Sequence, residues 1–196
     1  MTGARTYNDS GQAFPIYITV VGGLLLLAFA YFAVGQAAAT RNGAQTAADA
    51  AALAAALDTR DQLAEQWLKD VRDPAKWQDI FDGNAAVTPS CWRAYQLAEQ
   101  NDAHAQCAPT GLLGYRVEVE TNKTVGESVI PGTESQHATA SAQAVIEPLC
   151  DAPGEGAADE ALIRLTCKGE RDWDLDPDDP TTLPEPKDLF EVHLAD

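Results

Sequence analysis

The first apolar stretch of the chain is long enough to cross a membrane. No charged side chain occurs between Asp9 and Arg41, and the run from Ala13 to Ala39 is apolar almost throughout. A bilayer-spanning helix needs about 20 such residues. The pattern therefore predicts a transmembrane helix over residues 13–39, preceded by a short tail of residues 1–12.

Small residues continue at helical spacing beyond this stretch. Every fourth position is glycine or alanine in the series Gly35, Ala39, Gly43, Ala47, Ala51 and Ala55. Such a row reflects either the high helix propensity of alanine or close packing against a second helix. Farther along, Leu63, Trp67 and Val71 share one face of a helix. We therefore predict a helical stalk over residues 40–72, either continuous with the membrane helix or kinked near Asp58.

Short helices and strands are predicted for the remaining residues, 73–196. Asp73-Pro74 and Thr88-Pro89 mark helix starts, which predicts helices to Phe81 and to about Asn101. Alternation of apolar and polar residues then predicts strands. The four predicted strands run from Gly114 to Glu120, His137 to Pro148, Ala161 to Thr166 and Leu189 to Leu194. Together these elements predict an α+β fold with a small antiparallel sheet.

Acidic residues dominate the chain beyond the apolar stretch. The net charge is −17, and Met1 to Thr40 contains only Arg5 and Asp9, which cancel. A surface with this charge repels nucleic acid and anionic lipid, so no nucleic-acid partner is expected. The simplest interpretation of the charge is solvation of an exported domain.

All four cysteines follow the apolar stretch, and none forms a C-x-x-C pair. An even number of such cysteines predicts two disulfides in an oxidising compartment, and so an extracytoplasmic domain with the N-terminus inside. The preferred pairing is Cys91 with Cys107, which would bracket the third helix. Cys150 and Cys167 would lie at opposite ends of a hairpin made by the second and third predicted strands, too far apart to bond. Either those strands are not neighbours, or Cys107 pairs with Cys150.

Candidate chemistry is limited to one acidic run. The residues Asp172, Asp174, Asp176 and Asp178 alternate as in a calcium loop, but position six is Pro177 and position twelve is Leu183. A solvated acidic linker from Lys168 to Lys187 is the favoured interpretation. The sequence has no paired histidine ligands, no G-x-S-x-G elbow and no phosphate-binding loop. We therefore predict neither a cofactor nor an enzymatic activity.

The segment from Gln36 to Leu57 resembles the junction after the N-terminal anchor in TadE/TadG-like proteins of the Tad (Flp-type) pilus assembly machinery. The most specific part is Gln45 followed by Ala47–Leu53, which reads AADAAAL. A processed pilin carries a glutamate five residues after its cleavage glycine. If that glycine were Gly11, the position would be Ile16. The resemblance is therefore to the TadG-like, anchored and unprocessed members, with a pilin-like order of elements.

This resemblance implies a single-pass envelope protein with a structural role in pilus assembly, whose partners are the membrane and other pilus-assembly or pilin-like proteins, or copies of itself. The residues expected to pack against a partner helix are Gly35, Ala39, Gly43, Ala47 and Ala51, with Gln45 and Asp49 as polar positions among them. The alternative function is a membrane-tethered binding module that holds a cation or another ligand in the acidic run.

Overall fold

A computed structural model describes residues 13–124, 135–153, 163–169 and 171–195, which form an α+β fold. The helices are α1 (Ala13–Lys69), α2 (Trp77–Phe81), α3 (Cys91–Gln100) and α4 (Pro186–Leu189), with 3₁₀ turns at Pro74–Lys76 and Pro180–Thr182. The strands are β1 (Ala103–Pro109), β2 (Gly114–Thr124), β3 (His137–Pro148), β4 (Cys150–Asp151), β5 (Ile163–Cys167), β6 (Arg171–Leu175) and β7 (Phe190–Leu194). The predicted fold class is confirmed. The predicted tail of residues 1–12 and the predicted strand start at Ala161 lie outside the described residues.

The first helix is continuous from the apolar stretch into the folded domain. It contains 57 residues, which at 1.5 Å per residue corresponds to a length of about 85 Å. Of the two sequence-based alternatives, the structure shows the unbroken helix, with Asp58 inside it. The apolar stretch and the domain are therefore joined by helix without a flexible linker.

The strands are divided between two antiparallel sheets, whereas the sequence pattern predicted one. The larger sheet has the order β1-β2-β3-β7, and the smaller has the order β4-β5-β6. β3 has the predicted bounds, but the chain leaves the first sheet after Pro148 and pairs Cys150 with Cys167 in the second. β3 and β5 therefore belong to different sheets and are not neighbours.

The core lies between α1 and one face of the larger sheet. The alternation predicted for β2 is present, since Tyr115, Val117 and Val119 are buried whereas Arg116 and Glu118 are exposed. α1 packs on β2, β3 and α3. Two tilted aromatic pairs close the end of the core away from the apolar stretch: Trp67 with Trp77 and Phe81 with Phe190, at centroid distances of 5.2 and 5.6 Å.

Both disulfides connect residues that the fold brings together. Cys91–Cys107 is the preferred pairing, and it joins the start of α3 to β1 with a Cα separation of 5.6 Å. Cys150–Cys167 joins direct partners on β4 and β5. The first sequence-based alternative therefore applies, and Cys107 does not pair with Cys150.

Three strands were not predicted from the sequence: β1, β6 and the two-residue β4. β1 occupies a segment for which no strand was predicted, and β6 lies within the segment interpreted as an acidic linker. The signal in β6 was present, because half-buried Trp173 and buried Leu175 alternate with exposed Asp172 and Asp174. The high density of acidic residues obscured this period of two. In β1 the inward side chains are only alanines and a cysteine, which carry little apolar signal.

Candidate functional site

The candidate functional element is α1, whose two halves have opposite environments. From Phe14 to Gly43 no side chain is buried, and Leu26 and Tyr31 are 70% and 83% exposed. Among the described residues one helix is long and apolar enough to cross a membrane, and the mean hydropathy of its most apolar window is 2.2. An apolar surface of this size needs lipid or protein around it. The first half of α1 therefore fits a single-pass membrane anchor.

The second half of α1 is covered by the chain's own domain. From Ala44 onward, the alanines that are completely buried are Ala44, Ala47, Ala48, Ala51, Ala52, Ala55 and Ala56. Opposite them on β3 lie Ala138, Ala140, Ala142 and Ala144, all partly or fully buried. Small side chains on both surfaces let the helix and the sheet approach closely. These alanines form an internal interface, and their side chains are not accessible to a partner.

The row of small residues therefore does not lie on one face. An α-helix turns by about 100° per residue, so each four-residue step rotates the row by about 40°. Between Gly35 and Ala51 the row turns by about 160°. Gly35, Ala39 and Gly43 are exposed, whereas Ala47 and Ala51 are buried under the sheet. The structure separates the predicted packing residues into an outer group and an inner group.

The outer group includes two glycines without an internal packing role. Apart from the adjacent residues and the backbone of the helix itself, no atom of the described residues lies within 4 Å of a Cβ built at Gly35 or at Gly43. A glycine in a helix interior costs about 0.5–1 kcal/mol relative to alanine. Gly43 and Ala39 also line a groove of about 400 Å³, whose other side is formed by Asn101, Lys123 and neighbouring residues. We call the exposed residues Gly35, Ala39 and Gly43 the outer ridge.

Gln45 and Asp49 lie at the edge of the helix–sheet interface. The Gln45 side-chain amide donates to Asp49 Oδ1 at 2.7 Å and to the backbone carbonyl of Ser141 on β3 at 3.5 Å. Both residues line a polar cavity of about 450 Å³ together with Arg116 and Gln143. Their hydrogen bonds connect α1 to its own sheet.

A buried polar cluster, not predicted from the sequence, attaches the segment before α3 to α1. Thr59 Oγ1 lies 2.8 Å from both Ser90 Oγ and the Tyr115 hydroxyl, and the Ser90 amide donates to that hydroxyl at 3.0 Å. Gln62 adds reciprocal bonds to the backbone of Thr88. All three hydroxyl residues are nearly inaccessible, so the cluster has a positioning role.

The acidic run does not form a metal site in the described residues. Asp172 and Asp174 are on β6, and the Arg164 side chain donates to Asp174 at 3.0 Å. Asp176 accepts the amide of Asp178, whose carboxylate binds Arg72 at 2.5 Å. No three His, Cys, Asp or Glu side chains of the described chain could hold one ion together. Other groups of the protein thus contact three of the four carboxylates considered from the sequence as weak calcium ligands: those of Asp174, Asp176 and Asp178.

An ion pair fastens the end of α1. Lys76 Nζ and Gln66 Nε2 donate to Asp70 at 2.7 and 2.5 Å, and Trp77 Nε1 donates to the Asp70 carbonyl at 2.9 Å. The bond from Lys76, with that from Gln66, lowers the pKa of Asp70 below its ordinary value of 3.8. The reciprocal bond raises the pKa of Lys76 above 10.5. These contacts hold the turn before α2 against the helix end.

The exposed apolar half of α1 fits a membrane anchor, and the rest of the described chain forms an α+β domain. Residues 11–58 match the family model described as Putative Flp pilus-assembly TadE/G-like. No curated protein and no solved structure gives a significant match. The match confirms the TadE/TadG-like resemblance over the first half of α1 and most of its alanines. Together with the candidate membrane span, it supports a pilus-related membrane component.

Proposed function

We propose that this protein is a non-catalytic, membrane-anchored component of a Tad-type pilus system that binds a partner helix through its outer ridge. The observation that carries the proposal is the open space beside Gly35 and Gly43 in a segment that matches the family model. Each glycine lowers helix stability, and no close packing within the chain requires a glycine at either position. A neighbouring helix that approaches closely is the physical reason for such residues in membrane helices.

The partner is a helix of another pilus-assembly or pilin-like protein, or of a second copy. The inner alanines do not take part, because the sheet already covers them. The two disulfides support an oxidising compartment outside the cytoplasm for the folded domain, and with it the proposed orientation in which the N-terminus is inside. The continuous helix then holds the domain at a defined height above the membrane.

Substitution on the outer ridge tests the proposal. A photo-crosslinking amino acid in place of exposed Gln36 identifies neighbouring proteins in the native membrane. Gly43→Leu is then introduced into the chain that carries this crosslinker. We expect the crosslink to a pilus-system protein or second copy to fall to about a tenth, which corresponds to ~1.4 kcal/mol of association free energy. Ala37→Leu is the matched control, since exposed Ala37 lies on the opposite side of the helix.

The two variants separate the possible outcomes. Loss of the crosslink in Gly43→Leu but not in Ala37→Leu supports packing through the outer ridge. Equal crosslinking in both variants would contradict it, and so would equal loss in both. Identification of the crosslinked band by mass spectrometry decides between a second copy and another protein. Binding of a cation in the acidic run is not proposed, because three of its four carboxylates bond to other groups of the chain.

A further inference from the structure

The end of the folded domain nearest the anchor is a polar surface. It is formed by α1 just after its apolar stretch, by the turn between α3 and β1, and by the last residues of β2. Its exposed side chains are those of Arg41, Asn42, Asn101, Asp102, Asn122 and Lys123. We call these six residues the base of the domain.

The fold brings the parts of the base to one level along α1, because α3 runs antiparallel to this helix. Ser90, directly before α3, bonds to Thr59 far along α1. Asn101, directly after α3, lines the same groove as Thr40 and Gly43. The turn that follows α3 therefore lies beside the point at which α1 leaves its apolar stretch.

Contacts within the base fasten this turn to the end of β2. Asp102 has a left-handed backbone with a φ of 55°, which reverses the chain within one residue. Its carbonyl accepts the amide of Asn122 at 2.7 Å, and its carboxylate accepts a bond from Lys123 Nζ at 3.0 Å. The base is therefore a single surface built from two chain segments beside α1.

The length of the charge-free helix sets the level of the bilayer on α1. From Ala13 to Thr40 the helix has 28 residues and no charged side chain, which corresponds to about 42 Å. A bilayer is about 40–45 Å thick with its headgroup layers, and about 30 Å of this is hydrocarbon. When the charge-free helix is centred in the bilayer, the hydrocarbon ends near Gln36. The residues from there to Thr40 then lie among the headgroups.

The base shares this headgroup level. Asn101, Asp102 and Lys123 line one groove with Gln36 and Thr40. Because α1 is unbroken between the apolar stretch and the domain, no linker lifts the domain away from the membrane. The six side chains of the base are all polar, which suits a headgroup layer and would be costly in hydrocarbon.

The charges of the base match a headgroup that carries both signs. Arg41 and Lys123 are cations, whereas Asp102 is an acid, and the side chains of Lys123 and Asp102 are 80% and 70% exposed. A lipid phosphate accepts charge-assisted hydrogen bonds from such cations, and a lipid ammonium group donates to a carboxylate. Lipids with only negative charge are repelled by the net charge of −17.

We propose that the base lies on zwitterionic phospholipid headgroups, so that the folded domain rests directly on the membrane surface. Lipid phosphates contact Arg41 and Lys123, and lipid ammonium groups contact Asp102. The proposal rests on the membrane anchor of the proposed function, but it does not depend on a partner helix at the outer ridge. The height of the domain above the membrane is then set by contact with lipid.

Fluorescence quenching measures the height of the base in nanodiscs of phosphatidylcholine and phosphatidylethanolamine that hold one copy of the full chain. The native cysteines form two disulfides, so a single introduced cysteine carries the fluorophore. Asn122→Cys labels the base, and Leu112→Cys labels the other end of β2, about 34 Å away. A nitroxide on the lipid headgroup should quench the fluorophore at residue 122 at least about threefold more strongly than at residue 112, because of this separation.

A third label, Leu26→Cys, separates this proposal from the anchor itself. Quenching at residue 26 by a nitroxide on the acyl chain shows that α1 is inserted. With insertion shown, equal quenching at residues 122 and 112 would overturn the proposal and leave the anchor intact. Without quenching at residue 26, both the anchor and the contact of the base with lipid would be wrong.

Two double variants with unchanged net charge test the recognition of the headgroup. Asp102→Asn/Lys123→Gln removes the ion pair of the base, and Arg72→Gln/Asp178→Asn removes an exposed ion pair elsewhere. Native mass spectrometry of the full chain in detergent measures the affinity for added phosphatidylethanolamine. We expect at least about threefold weaker binding in the base variant and less than about 1.5-fold in the control. Equal affinities in the two variants, or equally tight binding of phosphatidylglycerol by the wild type, would contradict recognition of a zwitterionic headgroup.

Discussion

In the first half of α1 the small residues face outward, whereas in the second half they are covered by the larger sheet and α3. Gly35, Ala39 and Gly43 contribute nothing to the core, while Ala47 and Ala51 are completely buried. The same residue types at the same spacing therefore meet different surroundings. The difference arises because a four-residue row winds around an α-helix.

The same substitution should therefore have different consequences in the two halves of α1. In the second half, the space around each alanine is already filled, so added atoms must displace the sheet. In the first half, added atoms enter the space outside the folded domain. Domain stability should therefore depend on the second half, and association on the first.

The largest expected difference comes from removing an aromatic side chain in each half. Trp67 is completely buried and packs on Trp77, so Trp67→Ala should lower the free energy of unfolding by about 3–5 kcal/mol. Phe29 is 64% exposed, and Phe29→Ala should change it by less than about 0.5 kcal/mol. Urea unfolding in detergent, followed by circular dichroism, measures both. Similar losses in the two variants would contradict the division of α1.

Replacing an alanine of the small-residue row by leucine should give a smaller difference in stability between the two halves of α1. Ala51→Leu should destabilise the domain by about 1–3 kcal/mol, because the closely packed sheet must move. Ala39→Leu should leave unfolding within about 0.5 kcal/mol of the wild type. The same urea transition reports both, and the crosslinking experiment reports association. If Ala51→Leu kept full stability, the inner interface would be looser than the structure shows.

The smallest expected effect is a change with pH at the end of α1. The folded-state pKa of Asp70 is lowered, first by the bond from Lys76, so its contribution is present above pH 3.8 and is lost as pH falls through the folded pKa. Asp70→Asn should reduce the fall in melting temperature below pH 3.8. Asp79→Asn is the control, since Asp79 is exposed on α2. Equal pH profiles for wild type and Asp70→Asn would contradict the role of this pair.

Several features were predictable because their signals are local. The apolar run and the two-residue alternation of β2 follow from neighbouring residues alone, and β3 was predicted with both of its bounds. The family pattern is also local, since it lies within residues 11–58. The Cys91–Cys107 bond spans a single helix, so its ends were easy to bring together. The α+β class follows from the order of these elements.

The tertiary structure decided which of these features face each other. Only the packing of α1 on β3 shows that Ala47 and Ala51 are internal and that the outer ridge is free. The pairing of β4 with β5, and the hydrogen bonds of Ser90 to Thr59 and Tyr115, join residues far apart in sequence. Such contacts depend on how the whole chain packs, and no local period contains that information. The sequence by itself therefore determined the apolar helix and most of the element types, and the fold determined which small residues are internal and which remain accessible to a partner.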